Sequence, residues 1–437
     1  MQKIRSWKRK VQRTAATVLL SACICSAGGA VLLSGILQPA AFAACEDHEL
    51  PGYWYAGEFG KKPTVKSQGS KNTCWALAAS SALELSLLPE KHVVFSADHM
   101  SLNNAFTIDQ SEGGDYSMIM AYLSGWQGPV AEAEEACADK GAFDEQESSA
   151  HIQEMQLLTD PDQEEIKYAV YRYGAVQTSL FMNRKMTDSA EGYYNPETAA
   201  FFFPEEKTPD HDVLILGWDD SFPKEKFDRQ PAEDGAFICL NSWGSDFGED
   251  GIFYVSYEDA NIGKKGMVYS RVENTENYTR LYQTDECGWR GGQGYESDTC
   301  WFANVYTAEA EEQLAAVGFY ATGRDTSYEI YLVHDFAGAE SFADMVFLQS
   351  GNMEYAGYYT VDLNGGEMLR SGERFAVAVK ITTPEAENPV AVEYRADQYT
   401  QNVSTEGKEG YISRFGKNWD CTEKRYGTNV CLKVYTR

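Results

Sequence analysis

The pattern of apolar and polar positions changes period along the chain. Residues 75–88 are a run of good helix formers without Gly or Pro, which predicts a helix opening at Cys74 with Thr73 as its N-cap. Phe95-Ser96-Ala97-Asp98-His99-Met100-Ser101 reads as a cap and the start of a short helix. Residues 116–123 read as another, after the pair Gly113-Gly114. In 162–173, Ile166, Ala169, Val170 and Tyr173 lie at helical spacing. Strand periods then take over at 175–181, 211–218, 236–240 and 251–257. Residues 131–160 are acidic and loosely patterned and read as a surface excursion; 273–286 read as a polar linker. From Cys287 nearly every segment is a short strand bounded by turn residues, at 301–307, 314–320, 328–333, 358–363, 374–381, 390–394 and 430–435. The expected fold class is α+β: a helical lobe and a β-rich lobe within 44–272, the linker, then an all-β sandwich over 287–437.

The start of the chain departs from this pattern. Lys3, Arg5, Lys8, Arg9, Lys10 and Arg13 precede an uncharged stretch from Thr14 to Ala43 that ends in Ala41-Phe42-Ala43. Residues 1–43 therefore read as an export signal cut before Ala44, which implies a secreted or cell-surface protein. A retained membrane anchor and a lipoprotein box at Leu20-Ser21-Ala22-Cys23 are the alternatives. Removal takes six of the 37 basic residues and leaves 31 against 66 acidic ones. Such a surface repels nucleic acid and anionic lipid. Of ten cysteines, Cys23 and Cys25 leave with the signal. Among the rest, Cys287 with Cys300 and Cys421 with Cys431 are the favoured pairings, since each closes a short loop. No C-x-x-C or H-E-x-x-H occurs, so neither a metal site nor a cofactor is expected.

Cys74 carries the candidate chemistry. A thiol at a helix N-terminus faces the positive end of the helix dipole, which favours the nucleophilic thiolate. Gln68, behind a turn-permitting Gly69, can bring an amide N–H to an oxyanion beside it. A cysteine nucleophile needs a base, and the base an orienter. Of the six histidines, only His211 begins a buried strand directly after a loop. Asn241-Ser242-Trp243-Gly244 closes the next strand. Its Asn carbonyl can fix the imidazole tautomer and its Trp can shield that bond from water.

Together these motifs resemble the papain-like cysteine peptidases. His211 follows Cys74 by 137 residues, inside the family's interval. Asn241 follows by 167, an overshoot that a lengthened hairpin loop over 219–234 explains. The resemblance implies Cys74 as nucleophile, His211 as general base and acid, Asn241 as orienter, and Gln68 with the Cys74 backbone N–H as oxyanion hole. Trp243 would be the shield, and Gly113-Gly114 the pair whose backbone binds substrate. Lys71 stands where the family has a cysteine, so the disulfide beside the nucleophile is missing. Ala303-Asn304-Val305-Tyr306-Thr307 and Ala315-Ala316-Val317-Gly318-Phe319-Tyr320 resemble the lectin-like domain that follows such peptidases in some Gram-positive bacteria.

The implied function is an exported cysteine peptidase acting on a peptide or protein, as a monomer, through an acyl-enzyme. Its C-terminal module would target it, with cell-surface glycan as a partner and Tyr295 and Tyr411 as exposed sugar-stacking aromatics. An inactive surface-binding protein on the same scaffold and an acyltransferase are the rival readings. The short stretch from Ala44 to Gln68 implies activity without a further activation cut.

Overall fold

The computed structural model describes residues 49–132, 147–188 and 190–437. The signal segment, Cys45 and Cys137 lie outside them. Four helices belong to the first half: α1 (Cys74–Leu87), α2 (Ala97–Leu102), α3 (Tyr116–Ser124) and α4 (Gln163–Tyr173). Twelve of the fourteen residues of α1 are buried, which is why its sequence is apolar all round and not on one stripe. Asp115, Asp162 and Ser96 cap their helices through side-chain oxygens that accept first-turn N–H groups. Thr73 does not. It is buried, but its hydroxyl caps nothing, and its φ of −107° and ψ of 20° depart from the extended geometry of an N-cap. The first-turn N–H groups of α1 thus have no Thr73 hydroxyl as partner.

A sheet of thirteen strands crosses the entire described chain. One end holds the antiparallel series Lys265–Glu273, Val176–Leu180, His211–Asp219, Ala236–Leu240 and Ile252–Ser256. The other end holds Arg280–Tyr282, Leu432–Thr436, Glu312–Ala321 and Ala356–Leu369. The strand that joins them is His151–Thr159, paired with Lys265–Glu273 on one side and Ala356–Leu369 on the other. The surface-excursion reading of 131–160 is therefore wrong for 151–159. Gln153, Glu154 and Gln156 interrupt the apolar alternation, and the strand is called into being by two long-range partners. At the join Gly357 has φ +145°, and a Cβ there would lie 2.0 Å from the Met155 carbonyl oxygen. Only glycine fits.

A second sheet of six strands, including Thr299–Thr307, Thr326–Val333 and Arg374–Thr382, packs on the C-terminal end. Phe302, Ile330, Val377 and Val379 meet Val317, Phe319, Leu432 and Val434 between the layers, making the expected sandwich. The strand Val346–Met353 in this sheet had no sequence signal.

The two halves share one core. Trp75, Phe106, Met118 and Tyr122 pack in one cluster with Cys287, Tyr320, Tyr358, Val403 and Cys431. Residues 273–286 are no free tether either: they include the strand Arg280–Tyr282 and the fully buried Asp285, paired with Lys433 at 2.8 Å. The expected disulfides do not form. Cys287, Cys300, Cys421 and Cys431 are all free, because Cys287 faces Ala105 and Cys300 the carbonyls of Trp301 and Ser413. Tyr411 is not a displayed aromatic; it packs edge-on against Phe336 and Phe342. Tyr295 packs against the sandwich core. The exposed aromatics of this half are Phe347, Phe415 and Tyr426. Among the described residues no helix is long and apolar enough to cross a membrane.

Candidate active site

Two strand ends, one helix start and the loop before that helix build the candidate site. His211 is the first residue of its strand, held in register opposite Leu180. Asn241 follows directly after Ala236–Leu240, the antiparallel neighbour. The two strands are joined by residues 220–235, the lengthened loop expected from the spacing, closed over buried Phe222 and Phe227. The hairpin brings the two side chains together: His211 Nε2 donates to Asn241 Oδ1 at 2.8 Å. That bond places the proton on Nε2 and leaves Nδ1 as the basic atom. The Trp243 ring lies 4.8 Å from the imidazole, tilted by 32°. Both His211 and Asn241 are buried, so the bond is sheltered from water.

Cys74 begins α1 and is partly exposed. The backbone N–H groups of Asp212, Trp75 and Cys74 itself act on its sulfur in the direction that favours the thiolate. Burial pushes the thiol up to about 12, outweighing those N–H groups. Burial also pushes His211 down to about 4, opposed by its Asn241 bond. The low thiol pKa expected from the helix N-terminus alone is therefore overridden by desolvation.

Gln68 is fixed on both sides. Its Oε1 accepts from Ser242 Oγ at 2.7 Å, and its Nε2 donates to the Lys71 carbonyl at 2.7 Å, leaving one amide hydrogen free. Its backbone N–H donates to Ser242 O at 2.8 Å, and Ser67 pairs with Trp243. The segment carrying Gln68 is thus laid along the segment carrying Asn241. Gly113 has φ +89°, and a Cβ on Gly114 would meet the Trp75 ring at 2.4 Å. Gly113 is held to glycine by its backbone angle and Gly114 by the Trp75 ring.

Residues 56–272 match the family described as papain family cysteine protease, and residues 281–436 match one described as lectin like domain. Residues 56–272 belong to the papain family of cysteine proteases. Pro-cathepsin H of Mus musculus is 25% identical to the chain over 202 residues, 44% of this chain and 55% of the relative. The chain thus spans about half the length of that relative. A structure of the clostridial cysteine protease Cwp84 after propeptide cleavage superposes with a TM-score of 0.76 at 24% identity, covering 88% of this chain and 99% of that one. A structure of the protease and lectin-like domains of Cwp84, titled a surface layer associated protein of Clostridium difficile, gives 0.76 at 23% identity, with 89% of each chain covered. These likenesses show that the papain-like and lectin-like folds occur together in this order.

Several residues of the papain-family domain had no motif to announce them. Ser242 orients Gln68. Arg184 lies over the Trp243 ring at 5.1 Å and donates to Gly69 O. Lys71 binds Asp98 at 2.7 Å, tethering the nucleophile loop to α2 where the family has a disulfide. Lys66 binds buried Glu84 of α1 as well as Ser80 Oγ. Asp212 accepts from Ser179 Oγ at 2.7 Å and from Gln177 Nε2 at 2.9 Å, while Gln177 also reaches the Trp75 carbonyl. Burial, with the Asp115 charge nearby, pushes Asp212 up to about 6. No sequence motif marks these partners, because each is defined by a contact across 14 to 174 positions. Among the described residues no cluster of His, Cys, Asp or Glu is placed to hold a metal ion.

Proposed function

We propose that the protein is an exported cysteine endopeptidase that hydrolyses peptide bonds through Cys74, His211, Asn241 and Gln68. The observation that carries this is the sheltered His211–Asn241 bond, which keeps Nδ1 as the basic atom, in a chain whose candidate thiol stands at the start of α1. In the proposed sequence, Cys74 Sγ attacks the scissile carbonyl carbon and its proton passes to His211 Nδ1. The resulting oxyanion takes hydrogen bonds from the free Gln68 amide hydrogen and the Cys74 backbone N–H. His211 then gives the proton to the departing amine, leaving an acyl-thioester. Water attacks that ester with His211 as base, and the acid leaves. Gly113 and Gly114 would hold the substrate backbone.

Export is supported by the leader-like start of the chain, and a cell-surface setting by the surface-layer association stated for the clostridial neighbour. We assign glycan contact to the lectin-like domain, at an open groove of about 650 Å³ lined by Gln293, Asn388, Tyr394, Arg395 and exposed Tyr426. Loss of retention on cell-wall material in Tyr426→Ala, with peptidase rate kept, supports this; unchanged retention refutes it.

The rival reading, an inactive binding scaffold, is favoured by one feature: burial alone keeps Cys74 as thiol and His211 as neutral imidazole. Two measurements separate the readings. A peptide-derived epoxide should modify Cys74 stoichiometrically, and peptide cleavage should vanish in Cys74→Ala. A wild-type chain that neither labels nor cleaves any member of a broad peptide library overturns the peptidase reading.

A further inference from the structure

The lectin-like domain reaches the substrate side of the cleft through one segment. Residues 103–117 leave α2, carry Gly113 and Gly114, and enter α3. One side of this strap is tied to the nucleophile loop: Asn72 N donates to Gln110 O at 2.7 Å, and the Asn72 side-chain amide donates to Ser111 O. The other side is tied to the lectin-like domain. Thr107 N donates to Tyr399 O at 2.8 Å, and the Cys287 thiol faces Ala105 O at 3.6 Å. Arg290 Nη1 donates to Ser117 Oγ at 2.6 Å, and its guanidinium lies 5.3 Å from the Phe106 ring centre.

Ser117 passes the contact on. Its hydroxyl donates to Asp115 Oδ1, which also accepts the N–H groups of Ser117 and Met118. Arg290 thus heads a relay that ends one residue past Gly114. Gly114 sits against Trp75, the neighbour of Cys74, with no room for a Cβ. A backbone edge built on glycine binds an extended peptide well only if something else holds it still, since glycine loses the most conformational freedom on ordering.

We propose that Arg290, from outside the papain-family domain, is a positioning residue for peptide hydrolysis: it holds the Gly113–Ser117 segment in the conformation that takes the substrate backbone. The inference rests on the peptidase reading above. A charged donor suits this task because its hydrogen bond is stronger than a neutral one. If Arg290 were only an interface pin, its loss would lower the melting temperature and leave substrate affinity alone.

The test uses the full chain with Arg290→Ala, Arg290→Lys and Ser117→Ala. For a peptide extended on the amino side of the cleaved bond, KM should rise about tenfold or more in Arg290→Ala and Ser117→Ala, with kcat held. Arg290→Lys, which can still donate to Ser117, should recover most of the loss. Amide hydrogen exchange over 111–118 should quicken in the two alanine variants while the His211–Asp219 strand stays protected. That readout needs no turnover, so it decides the inference even if the chain proves not to be a peptidase. Should Arg290→Ala fail to fold, Ser117→Ala removes the same bond from the other side. Unchanged exchange over 111–118, or a wild-type KM with only a lowered melting temperature, overturns the proposal.

Discussion

At the scale of single residues, burial holds both Cys74 and His211 toward their neutral forms, so the proposed mechanism needs a proton transfer between them. Since burial alone holds Cys74 up at about 12, the alkylation rate near pH 7 should depend on His211. Replacing His211 by Ala should lower that rate at least tenfold, as expected for losing a positioned base. Identical pH–rate curves for the two proteins, measured with a small alkylating reagent, would remove His211 from the site. Gln68 offers a second check. Its Ala variant should lose on the order of a hundredfold in kcat if it donates to the oxyanion. Ser242→Ala should lose part of that, because the 2.7 Å bond from Ser242 fixes which way the amide points. Full kcat in Gln68→Ala leaves the oxyanion to backbone donors alone. Gln68, Cys74, His211 and Asn241 were legible as residue types at motif spacing. Ser242 was legible only as a neighbour of Asn241.

At the scale of elements, the strand His151–Thr159 decides how the halves hold together. Its ladder to Ala356–Leu369 requires Gly357, with φ +145° and the Met155 carbonyl against its Cα. Gly357→Ala should cost about 2 kcal/mol or more, through strain and a broken ladder. Denaturant unfolding checks this; an unchanged midpoint would show that the join tolerates a side chain. Helices α1 to α4 were readable because their apolar runs and caps are local. The His151–Thr159 strand was not, because buried Gln153 and half-buried Gln156 read as surface residues until both neighbouring strands are in place.

At the scale of the whole molecule, the lectin-like domain shares one folded body with the papain-family domain. A chain ending at Glu276 would expose Phe106, Met118 and Tyr122, which pack with Cys287, Tyr320 and Tyr358, and would leave the His151–Thr159 strand without one partner. That truncated chain should aggregate or unfold. Recovery of a soluble product with full small-peptide activity would instead make the module a dispensable targeting arm. The shared body also carries a pH dependence. Glu393 is pushed up to about 7 by burial, with the Asp285 charge adding to it, and it accepts from Cys287 N and Asn429 Nδ2. A carboxyl raised in the folded state contributes its full stability below its unfolded pKa and loses it as pH rises toward 7. Thermal stability should therefore fall from pH 4.5 to pH 7, by on the order of 3 kcal/mol from this group, then level off with respect to it. Melting temperatures across that range, with Glu393→Gln flattening the slope, provide the check. A slope unaltered in that variant would assign the effect to other groups.

The sequence by itself determined the two-part α+β order, the helices of the first half and most strands of the second, and it singled out the four candidate residues of the proposed site. These rest on short-range information: periodicity, caps, glycine pairs and motif spacing. Only the tertiary structure decided that Thr73 leaves α1 uncapped and that the cysteines of the C-terminal half remain apart. It alone packed Tyr411 against Phe336 and Phe342 and showed 273–286 to be woven into the body. It also decided that one sheet and one core run through both parts. The physical reason is the same in each case. Desolvation, strand pairing and core packing depend on which distant segments arrive beside a residue, and local pattern carries no record of those arrivals.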